Sequence, residues 1–230
     1  MKIRPNTILI RTISLFFMNL SWLFGAGHSI IGITGGSASG KTTLVRETVR
    51  LLNDSRVGLL AQDRYFAPDQ QSKEYHIDHS PNYDHPTAMD LTLLRGHIQA
   101  LSQGEKIKAP QYDFKTGHRM AETESFGPFQ VTLLEGIHVL HDQDIRDQLS
   151  LKVFVDYPSQ LRLQRRITRD MEERGYSLAS IIEFYSKIVE PMHQKFIEPT
   201  RVYADEGWIL SGDSKDGAAR LASFVQELLK

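Results

Sequence analysis

Short apolar runs and segments of helical periodicity alternate along the chain. The apolar runs are rich in β-branched residues or leucine, as buried parallel strands are. They predict strands at residues 29–34, 57–61, 131–134, 151–155 and 208–210. Between them, apolar side chains recur every three or four residues, as on one face of an amphipathic helix. This spacing predicts helices at residues 42–52, 88–101, 162–174, 178–196 and 218–229.

The order of these elements predicts the architecture. Strands that alternate with helices form a parallel α/β sheet with helices on its faces. Residues 62–86 are polar and contain Pro and three His, so we expect a long loop with a functional role. Because no internal repeat or clear linker interrupts residues 29–230, we expect one domain there, with a helical excursion.

Residues 1–28 follow a different pattern. Basic residues precede an apolar run at residues 13–24 and then a Gly-Ala-Gly sequence, which is the order of a secretory signal. The run is shorter than the ~20 residues that a spanning helix needs. Three interpretations stay open: a signal peptide, a helix on a membrane surface, and a dispensable extension. We favour the extension because Met18 offers a second start, and we exclude the segment from the fold argument.

Composition narrows the classes of function. The chain has 27 Lys and Arg against 28 Asp and Glu, nine His and no Cys. A net charge of −1 gives no general attraction to nucleic acid or anionic membranes. The absence of Cys excludes disulfides, thiolate zinc sites and Cys nucleophiles. We therefore expect a cytoplasmic protein that binds a small molecule and no nucleic acid.

A glycine-rich loop carries the clearest chemical signal. Residues 35–42, GGSASGKT, match the phosphate-binding pattern G-x-x-x-x-G-K-[ST] between a predicted strand and a predicted helix. Glycines let successive N–H groups turn toward phosphate oxygens, and the helix N terminus adds partial positive charge. The expected contacts of ATP are Gly35, Gly36, Ser37, Ala38, Ser39, Gly40, Lys41, Thr42 and Thr43. The predicted fold is therefore a P-loop NTPase-type parallel sheet flanked by helices.

Within this loop, two side chains have specific roles. Lys41 is expected to bridge the β- and γ-phosphates, and Thr42 to offer its hydroxyl group to Mg²⁺. Acidic residues follow two predicted strands, where ligands bind in an open parallel sheet. Asp63 follows the second strand and Glu135 the third. Either carboxylate can help to hold Mg²⁺, and one can accept the proton of an attacking hydroxyl group.

Arginines crowd the predicted helix at residues 162–174. Arg162, Arg165, Arg166 and Arg169 recur at spacings of three and four, which places them on one side of the helix. Phosphoryl transfer spreads negative charge over the γ-phosphate oxygens, and arginines that close over these oxygens stabilise that charge. We therefore predict an Arg-rich helical lid. The alternative is a solvated face paired with neighbouring acidic residues.

Eight segments between residue 30 and about residue 205 point to a known family. They are IIGITGGSASGKTT, AQDRYF, NYDHPTAMD, APQYDF, LLEGIHVL, LKVFVDYP, RLQRRITRDMEERG and VEPMHQKFIEPTRVYAD. In this order and spacing the chain resembles the uridine kinases (uridine–cytidine kinases) of the phosphoribulokinase and uridine kinase superfamily. The resemblance implies transfer of the γ-phosphate of ATP, or of GTP, to the 5′-hydroxyl group of a pyrimidine nucleoside with Mg²⁺. It also implies a homo-oligomer, commonly a tetramer.

The resemblance implies roles for the residues on the ATP side. Asp63 matches the family's proposed base and Glu135 its Mg²⁺-associated acid, so the expected metal ligands are Thr42, Glu135 and Asp63. The expected catalytic residues are Asp63, Lys41 and Arg169. The lid arginines that contact the nucleotide match Arg166, Arg169 and Arg174.

On the acceptor side, Asp84 matches the aspartate that binds the ribose hydroxyl groups, and Tyr112 matches the tyrosine of the base pocket. The expected nucleoside contacts are Asp84, Tyr112, His118, Tyr65 and Arg166.

Three departures from the family pattern lie on this acceptor side. His118 comes one place later than the family's histidine, Tyr176 stands where an arginine is expected, and Phe184 where a glutamine is expected. Lost polar partners can change discrimination between substrates. Two alternatives therefore stay open: a kinase of the same superfamily with another hydroxyl acceptor, and a nucleotide-binding regulatory pseudokinase.

Overall fold

Seven strands occur in the described part of the chain, residues 27–67, 69, 71–114 and 116–230 of a computed structural model. They are β1 (Ser29–Gly35), β2 (Val57–Ala61), β3 (Ile107–Asp113), β4 (His118–Phe126), β5 (Val131–Glu135), β6 (Leu151–Asp156) and β7 (Ile209–Ser211). Five of them form a parallel sheet in the order β2-β5-β1-β6-β7. β3 and β4 form a separate antiparallel hairpin. The central position of β1 places the glycine-rich loop at the middle of the sheet edge.

Helices cover both faces of the sheet. They are α1 (Lys41–Leu52), α2 (Leu91–Ser102), α3 (Gln143–Arg146), α4 (Ser159–Arg174), α5 (Leu178–Phe184), α6 (Glu190–Met192) and α7 (Ser214–Leu228). One core packs Leu44 of α1 and Leu221 of α7 against Ile31 and Ile33 of β1. The other core includes α2 and contacts the opposite face of the sheet. Every residue of β1 and β5 is buried, because both faces of these strands are covered.

Local chemistry sets where two of the predicted helices begin. The helix expected from residue 88 begins at Leu91, because the Asp90 side chain accepts a hydrogen bond from the N–H of Leu93 over 3.0 Å. Residues Pro86–Ala88 form a 3-10 turn before it. The helix expected from residue 162 begins at Ser159, directly after Pro158.

The prediction of a helix at residues 178–196 is correct in its helical character and wrong in its regularity. After α5 the backbone passes through π-helical turns at Tyr185–Val189 and His193–Ile197. Pro191 lies between these turns and lacks the N–H that a regular helix would use. Wider turns of this kind absorb such interruptions.

Between α2 and β5 the chain forms the β3–β4 hairpin, which the sequence analysis did not predict. Sequence patterns missed it because β4 exposes most of its side chains and contains no apolar run. The hairpin pairs Tyr112 with Arg119 and Asp113 with His118, beyond an irregularity that follows Pro110. It is the element that carries the predicted base-pocket residues.

The three interpretations of residues 1–28 concern a segment that lies, except for Gly27 and His28, outside the described residues. Within the described ranges, no helix combines the length and the apolar character needed to cross a membrane.

Candidate active site

The phosphate-binding loop joins β1 to α1. Two of its residues have positive φ angles, 61° at Ala38 and 97° at Gly40. This alternation turns successive N–H groups toward one side, which forms a concave seat for an anion. Gly40 is required at its position, because a Cβ there would combine a left-handed backbone with a 3.1 Å approach to the Arg165 guanidinium. The loop therefore fits the phosphate groups that its sequence pattern predicts.

The two key side chains of this loop lie at the start of α1. Lys41 is buried, and its Nζ donates to the carbonyl oxygen of Gly36 over 3.4 Å, across the loop. Thr42 donates from Oγ1 to Oε1 of Glu135 over 3.0 Å. Burial raises the pKa of Glu135, and the nearby Asp63 raises it further, while Lys41 and the Thr42 hydrogen bond oppose the shift.

Asp63 and Glu135 lie together because their strands are paired in register. Ala61 of β2 is opposite Glu135 of β5, and Asp63 follows in a 3-10 turn, Gln62–Tyr65. Desolvation raises the pKa of Asp63, while the positive charges of Lys41, Arg174 and Arg169 lower it. The carboxylate thus lies within the electrostatic reach of the lysine of the phosphate loop and of two arginines of α4. Its role as a base or a metal-associated acid stays a prediction.

This set of oxygen donors fits Mg²⁺. A hydroxyl group and two carboxylates, from Thr42, Glu135 and Asp63, are the hard oxygen ligands that Mg²⁺ prefers, together with water and substrate phosphates. Among the residues that the structure describes, no three His, Asp or Glu side chains converge to hold a metal ion by themselves. A Mg²⁺ ion here would therefore depend on phosphate oxygens and water as well as on protein oxygens.

The arginine-rich helix α4 contacts the phosphate loop directly. Arg166 donates from Nη1 to Oγ of Ser37 over 2.9 Å, and Arg165 donates from Nη1 to the carbonyl oxygen of Ser39 over 3.2 Å. The Arg165 guanidinium also stacks 3.7 Å from the ring centre of Tyr157. Burial lowers the pKa of Arg166. These contacts place a guanidinium group at each of two positions of the loop.

A single buried carboxylate forms ion pairs with three arginines of this helix. Asp170 is 1% exposed and lies 3.1 Å from Arg166, 2.8 Å from Arg169 and 3.4 Å from Arg174. The pairing with an acidic neighbour matches part of the alternative interpretation of this helix, while the closure of a lid over the phosphates stays a prediction. The pairing holds the guanidinium groups on the side of α4 that faces Asp63 and the phosphate loop.

Arg162 differs from the other arginines of α4. Its side chain is 2% exposed, and Nη2 donates to Oε2 of Glu190 over 2.8 Å. A Cβ on Gly36 would lie 2.6 Å from Nη1 of Arg162, so the guanidinium packs directly against the phosphate loop. Its partner lies 28 residues away in α6, and no sequence pattern indicated this pair.

The acceptor side is built by the long loop after β2. Asp84 is 7% exposed. Burial raises its pKa, and Asp63 adds to this effect, while Arg166, Lys41 and Arg169 oppose it. The predicted ribose-binding aspartate therefore lies within the electrostatic reach of Asp63, of Lys41 and of the arginines of α4.

Aromatic side chains surround the predicted base pocket. Tyr112 of β3 lies with its ring centre 5.3 Å from that of Phe66 and 5.2 Å from that of Phe114. Phe66 also contacts the ring of Tyr83 at 5.5 Å. Burial raises the pKa of Tyr112, so its hydroxyl group stays protonated. The hairpin thus brings Tyr112 to the loop that contains Asp84.

Two predicted contact residues lie elsewhere. Tyr65 is completely buried in the core and its hydroxyl group is hydrogen-bonded to Nδ1 of His97 over 2.8 Å, so the structure does not support a substrate contact. The family pattern did not indicate this, because a tyrosine in this short turn can point either into the core or toward the ligand edge of the sheet. His118 is exposed at the start of β4, with its Nδ1 3.4 Å from Oδ2 of Asp69, so its predicted nucleoside contact stays a prediction.

Two of the family departures lie near the lid. Tyr176 is 57% exposed, beyond the end of α4, and Phe184 lies with its ring centre 5.7 Å from the guanidinium carbon of Arg166. Phe184 therefore contacts a predicted substrate-binding arginine through its ring face. A glutamine at that position would offer hydrogen bonds that phenylalanine does not.

A strand–loop–helix phosphate seat, carboxylates at neighbouring strand ends and an arginine lid define a P-loop phosphotransferase with an α/β fold. The model of the phosphoribulokinase/uridine kinase family matches residues 30–207. The chain belongs to this family.

Named relatives agree with this assignment. A uridine kinase of Brevibacillus brevis is 45% identical over 176 residues, which cover 76% of this chain and 82% of that protein. A uridine kinase of Staphylococcus haemolyticus is 43% identical over 204 residues, which cover 89% of this chain and 98% of that protein. The solved structure of phosphoribulokinase from Rhodobacter spheroides has a TM-score of 0.58 at 17% identity and covers 79% of this chain and 69% of that chain. This last likeness concerns the fold alone.

Proposed function

We propose that this chain is a uridine kinase, which transfers the γ-phosphate of ATP to the 5′-hydroxyl group of uridine or cytidine with Mg²⁺. The observation that carries the proposal is that Asp63, at the end of β2, and Asp84, in the loop after it, both lie within the electrostatic reach of Lys41 in the phosphate loop. A phosphate seat, a base and a partner for a ribose diol are the three elements that nucleoside phosphorylation needs. The relatives named uridine kinase support the same conclusion.

On the ATP side, the loop from Gly35 to Thr43 binds the triphosphate. Lys41 bridges the β- and γ-phosphates. Thr42, Glu135 and Asp63 would hold Mg²⁺, which would supply neutralisation of the phosphate charge. GTP is the alternative donor, because the phosphate loop reads phosphates rather than the base.

In the chemical step, the Asp63 carboxylate accepts the proton of the 5′-hydroxyl group. The hydroxyl oxygen forms a bond to the γ-phosphorus, and the bond from that phosphorus to the β–γ bridging oxygen breaks, which releases ADP. Arg169, with Arg166 and Arg174, stabilises the charge that develops on the γ-phosphate oxygens. Asp63 lies within the electrostatic reach of Arg169 and Arg174, so the same arginines act on the base and on the transferred phosphate.

On the acceptor side, the Asp84 carboxylate accepts hydrogen bonds from both ribose hydroxyl groups. Tyr112 contacts the base within the aromatic cluster, Arg166 contacts the nucleoside from the lid, and His118 serves at the rim. We also propose that residues 29–230 form the kinase domain, that the enzyme is a homo-oligomer of tetramer type, and that it acts in the cytoplasm without stable membrane contact.

A second candidate function is a kinase for another small hydroxyl acceptor. It is favoured by Phe184, which presents an aromatic ring to Arg166, and by the exposed position of His118. With fewer polar groups for the base, selectivity for uracil or cytosine would fall.

The decisive experiment incubates the full chain with ATP and Mg²⁺ against uridine, cytidine, other nucleosides, ribulose 5-phosphate and pantothenate. ADP release and product mass are measured. A 5′-monophosphate of uridine or cytidine supports the proposal, and turnover only with another acceptor moves the chain to the second candidate. ATP binding without transfer to any acceptor would indicate a regulatory pseudokinase. Lys41→Ala is the control, because transfer must disappear in it for every acceptor.

A further inference from the structure

His138 is a buried histidine near the site that phosphoryl transfer does not use. It lies three residues after Glu135, in the segment that follows β5, and its exposed fraction is 0%. A histidine in such a place loses the hydration of both ring nitrogens, which costs free energy unless partners replace water. Its contacts therefore carry information about its role.

Two hydrogen bonds connect His138 to the two functional loops. Its backbone N–H donates to Oε1 of Gln62 over 2.9 Å, and Gln62 directly precedes Asp63. Its ring Nε2 lies 3.1 Å from the backbone carbonyl oxygen of Asp84. Gln62 is also fully buried, and a Cβ on Gly136 would lie 2.4 Å from its side chain. One residue thus joins the turn that holds Asp63 to the loop that holds Asp84.

The partners determine the tautomer of the ring. A carbonyl oxygen only accepts, so Nε2 of His138 must carry the proton and donate it to Asp84. Burial, with the charge of His141, lowers the pKa of His138 to about 3, so the ring stays neutral at ordinary pH. Its Nδ1 is then an acceptor, and it has no hydrogen-bond partner among the described residues. Packing alone would favour an apolar side chain, since a buried unpartnered acceptor is costly.

We propose that His138 is a positioning residue for the acceptor, which fixes the backbone of Asp84 relative to Asp63. The inference rests on the proposed function, because it assigns the Asp84 loop to acceptor binding. Loss of the Nε2 donor leaves the Asp84 carbonyl without this partner and lets the loop move away from the base. Acceptor affinity then falls. The phosphate loop keeps its affinity for ATP, because the hydrogen bonds that His138 donates among the described residues go to Gln62 and Asp84 and not to that loop.

Two matched variants separate the hydrogen bond from general packing. In His138→Gln the amide nitrogen can reach the position of Nε2 and keep the donor. In His138→Asn the shorter amide reaches only the position of Nδ1 and loses it. Both replacements are neutral and polar. We expect His138→Asn to raise the KM for uridine about tenfold with the KM for ATP within about twofold, and His138→Gln to restore most of the loss.

A third variant controls for the loss of a different histidine hydrogen bond. His97 is half-buried, and His97→Gln breaks its bond to the Tyr65 hydroxyl group without touching His138 or the Asp84 carbonyl. It is expected to lower thermal stability without a selective rise in the acceptor KM. Equal KM values for uridine in His138→Asn and the unmodified chain would overturn the proposal. So would a His138→Gln variant as impaired as His138→Asn.

Hydrogen exchange distinguishes failure of this inference from failure of the proposed function. If the unmodified chain does not phosphorylate uridine, the proposed function is wrong. The positioning role is then tested by the rate of backbone hydrogen exchange over residues 82–90. Faster exchange there in His138→Asn than in His138→Gln is expected whatever the acceptor. Identical exchange in the two variants would overturn the positioning role.

Discussion

Thr42 donates a hydrogen bond from its Oγ1 to Oε1 of Glu135 across 3.0 Å. The bond joins the first turn of α1 to the end of β5, so it holds two of the three side chains expected at Mg²⁺ next to each other. Burial raises the pKa of Glu135 in this position. The buried carboxylate is therefore costly for the free protein and is ready for a cation.

Replacement of Glu135 tests the metal assignment. In Glu135→Gln the shape is retained and one negative charge is lost, so we expect the Mg²⁺ concentration for half-maximal activity to rise by about 10-fold or more. Activity measured against Mg²⁺ at saturating ATP checks this. Glu122→Gln, an exposed position of β4, is the matched control and leaves the Mg²⁺ dependence unchanged. An unchanged dependence in Glu135→Gln would remove Glu135 from the metal site.

Replacement of Asp63 is expected to change both the catalytic rate and its dependence on pH. Asp63→Asn removes the base, so kcat is expected to fall by about 10²–10⁴-fold, while ATP affinity measured by titration changes little. A change confined to ATP affinity would make Asp63 a metal residue only. Desolvation raises the pKa of Asp63. The carboxylate therefore becomes protonated, and inactive as a base, at a higher pH than an ordinary aspartate does. Activity should therefore rise with pH through that raised pKa, and the rise should be absent in Asp63→Asn.

The predicted sheet and phosphate loop were recoverable from sequence because both depend on local signals. Every residue of β1 is buried, so the strand must be apolar, and the loop needs glycine at residue 40, where φ is 97°. The acids after β2 and β5 were found because strand ends mark the ligand edge of a parallel sheet. Asp63 and Glu135 lie together because β2 and β5 pair with Ala61 opposite Glu135.

Other features depend on distant partners and left no local signal. Strand β4 is mostly exposed and polar, so its pairing with β3 is visible only in three dimensions. Tyr65 points into the core because its hydroxyl group finds His97, 32 residues away. The role of His138 was missed for the same reason, since its partner at Asp84 is 54 residues distant.

The buried carboxylate of Asp84 is expected to lower the stability of the protein although substrate binding needs it. Burial raises its pKa, so folding favours the protonated form, and the cost of the charged form is complete once the pH exceeds the folded pKa. Asp84→Asn resembles the protonated form. We expect it to raise the free energy of unfolding of the nucleotide-free protein by about 1 kcal/mol at pH 8, with a smaller gain at pH 4, while uridine phosphorylation is lost.

Thermal unfolding at the two pH values checks this expectation. Asp78→Asn, an exposed position of the same loop, should change neither stability nor its pH dependence. A less stable Asp84→Asn protein at pH 8 would show that Arg166 compensates the buried charge fully, contrary to the direction of the pKa.

Arg162 and Glu190 form an ion pair, and the removal of each is expected to affect the stability of the protein unequally. Arg162 is 2% exposed and Glu190 23% exposed. Glu190 also accepts hydrogen bonds from Gln194 and Tyr185, over 2.8 Å and 3.0 Å. Without Arg162, Glu190 keeps these partners and some water. Without Glu190, Arg162 keeps only its bond to the Tyr157 carbonyl among the hydrogen bonds found in the described residues.

Glu190→Leu should therefore destabilise the protein more than Arg162→Leu, by about 3 kcal/mol against a smaller loss, and the double variant should recover part of the difference. Desolvation raises the pKa of Glu190, but the hydrogen bond from Gln194 and the charge of Arg162 outweigh it and bring the pKa to about 2. A lowered acid pKa contributes stability above the unfolded value, and this contribution is lost as pH falls toward 2. Urea unfolding of the three variants and the unmodified chain at pH 7 and pH 3 measures both effects. Equal losses for the two single variants at pH 7, or a pair contribution that persists at pH 3 without reduction, would contradict this account.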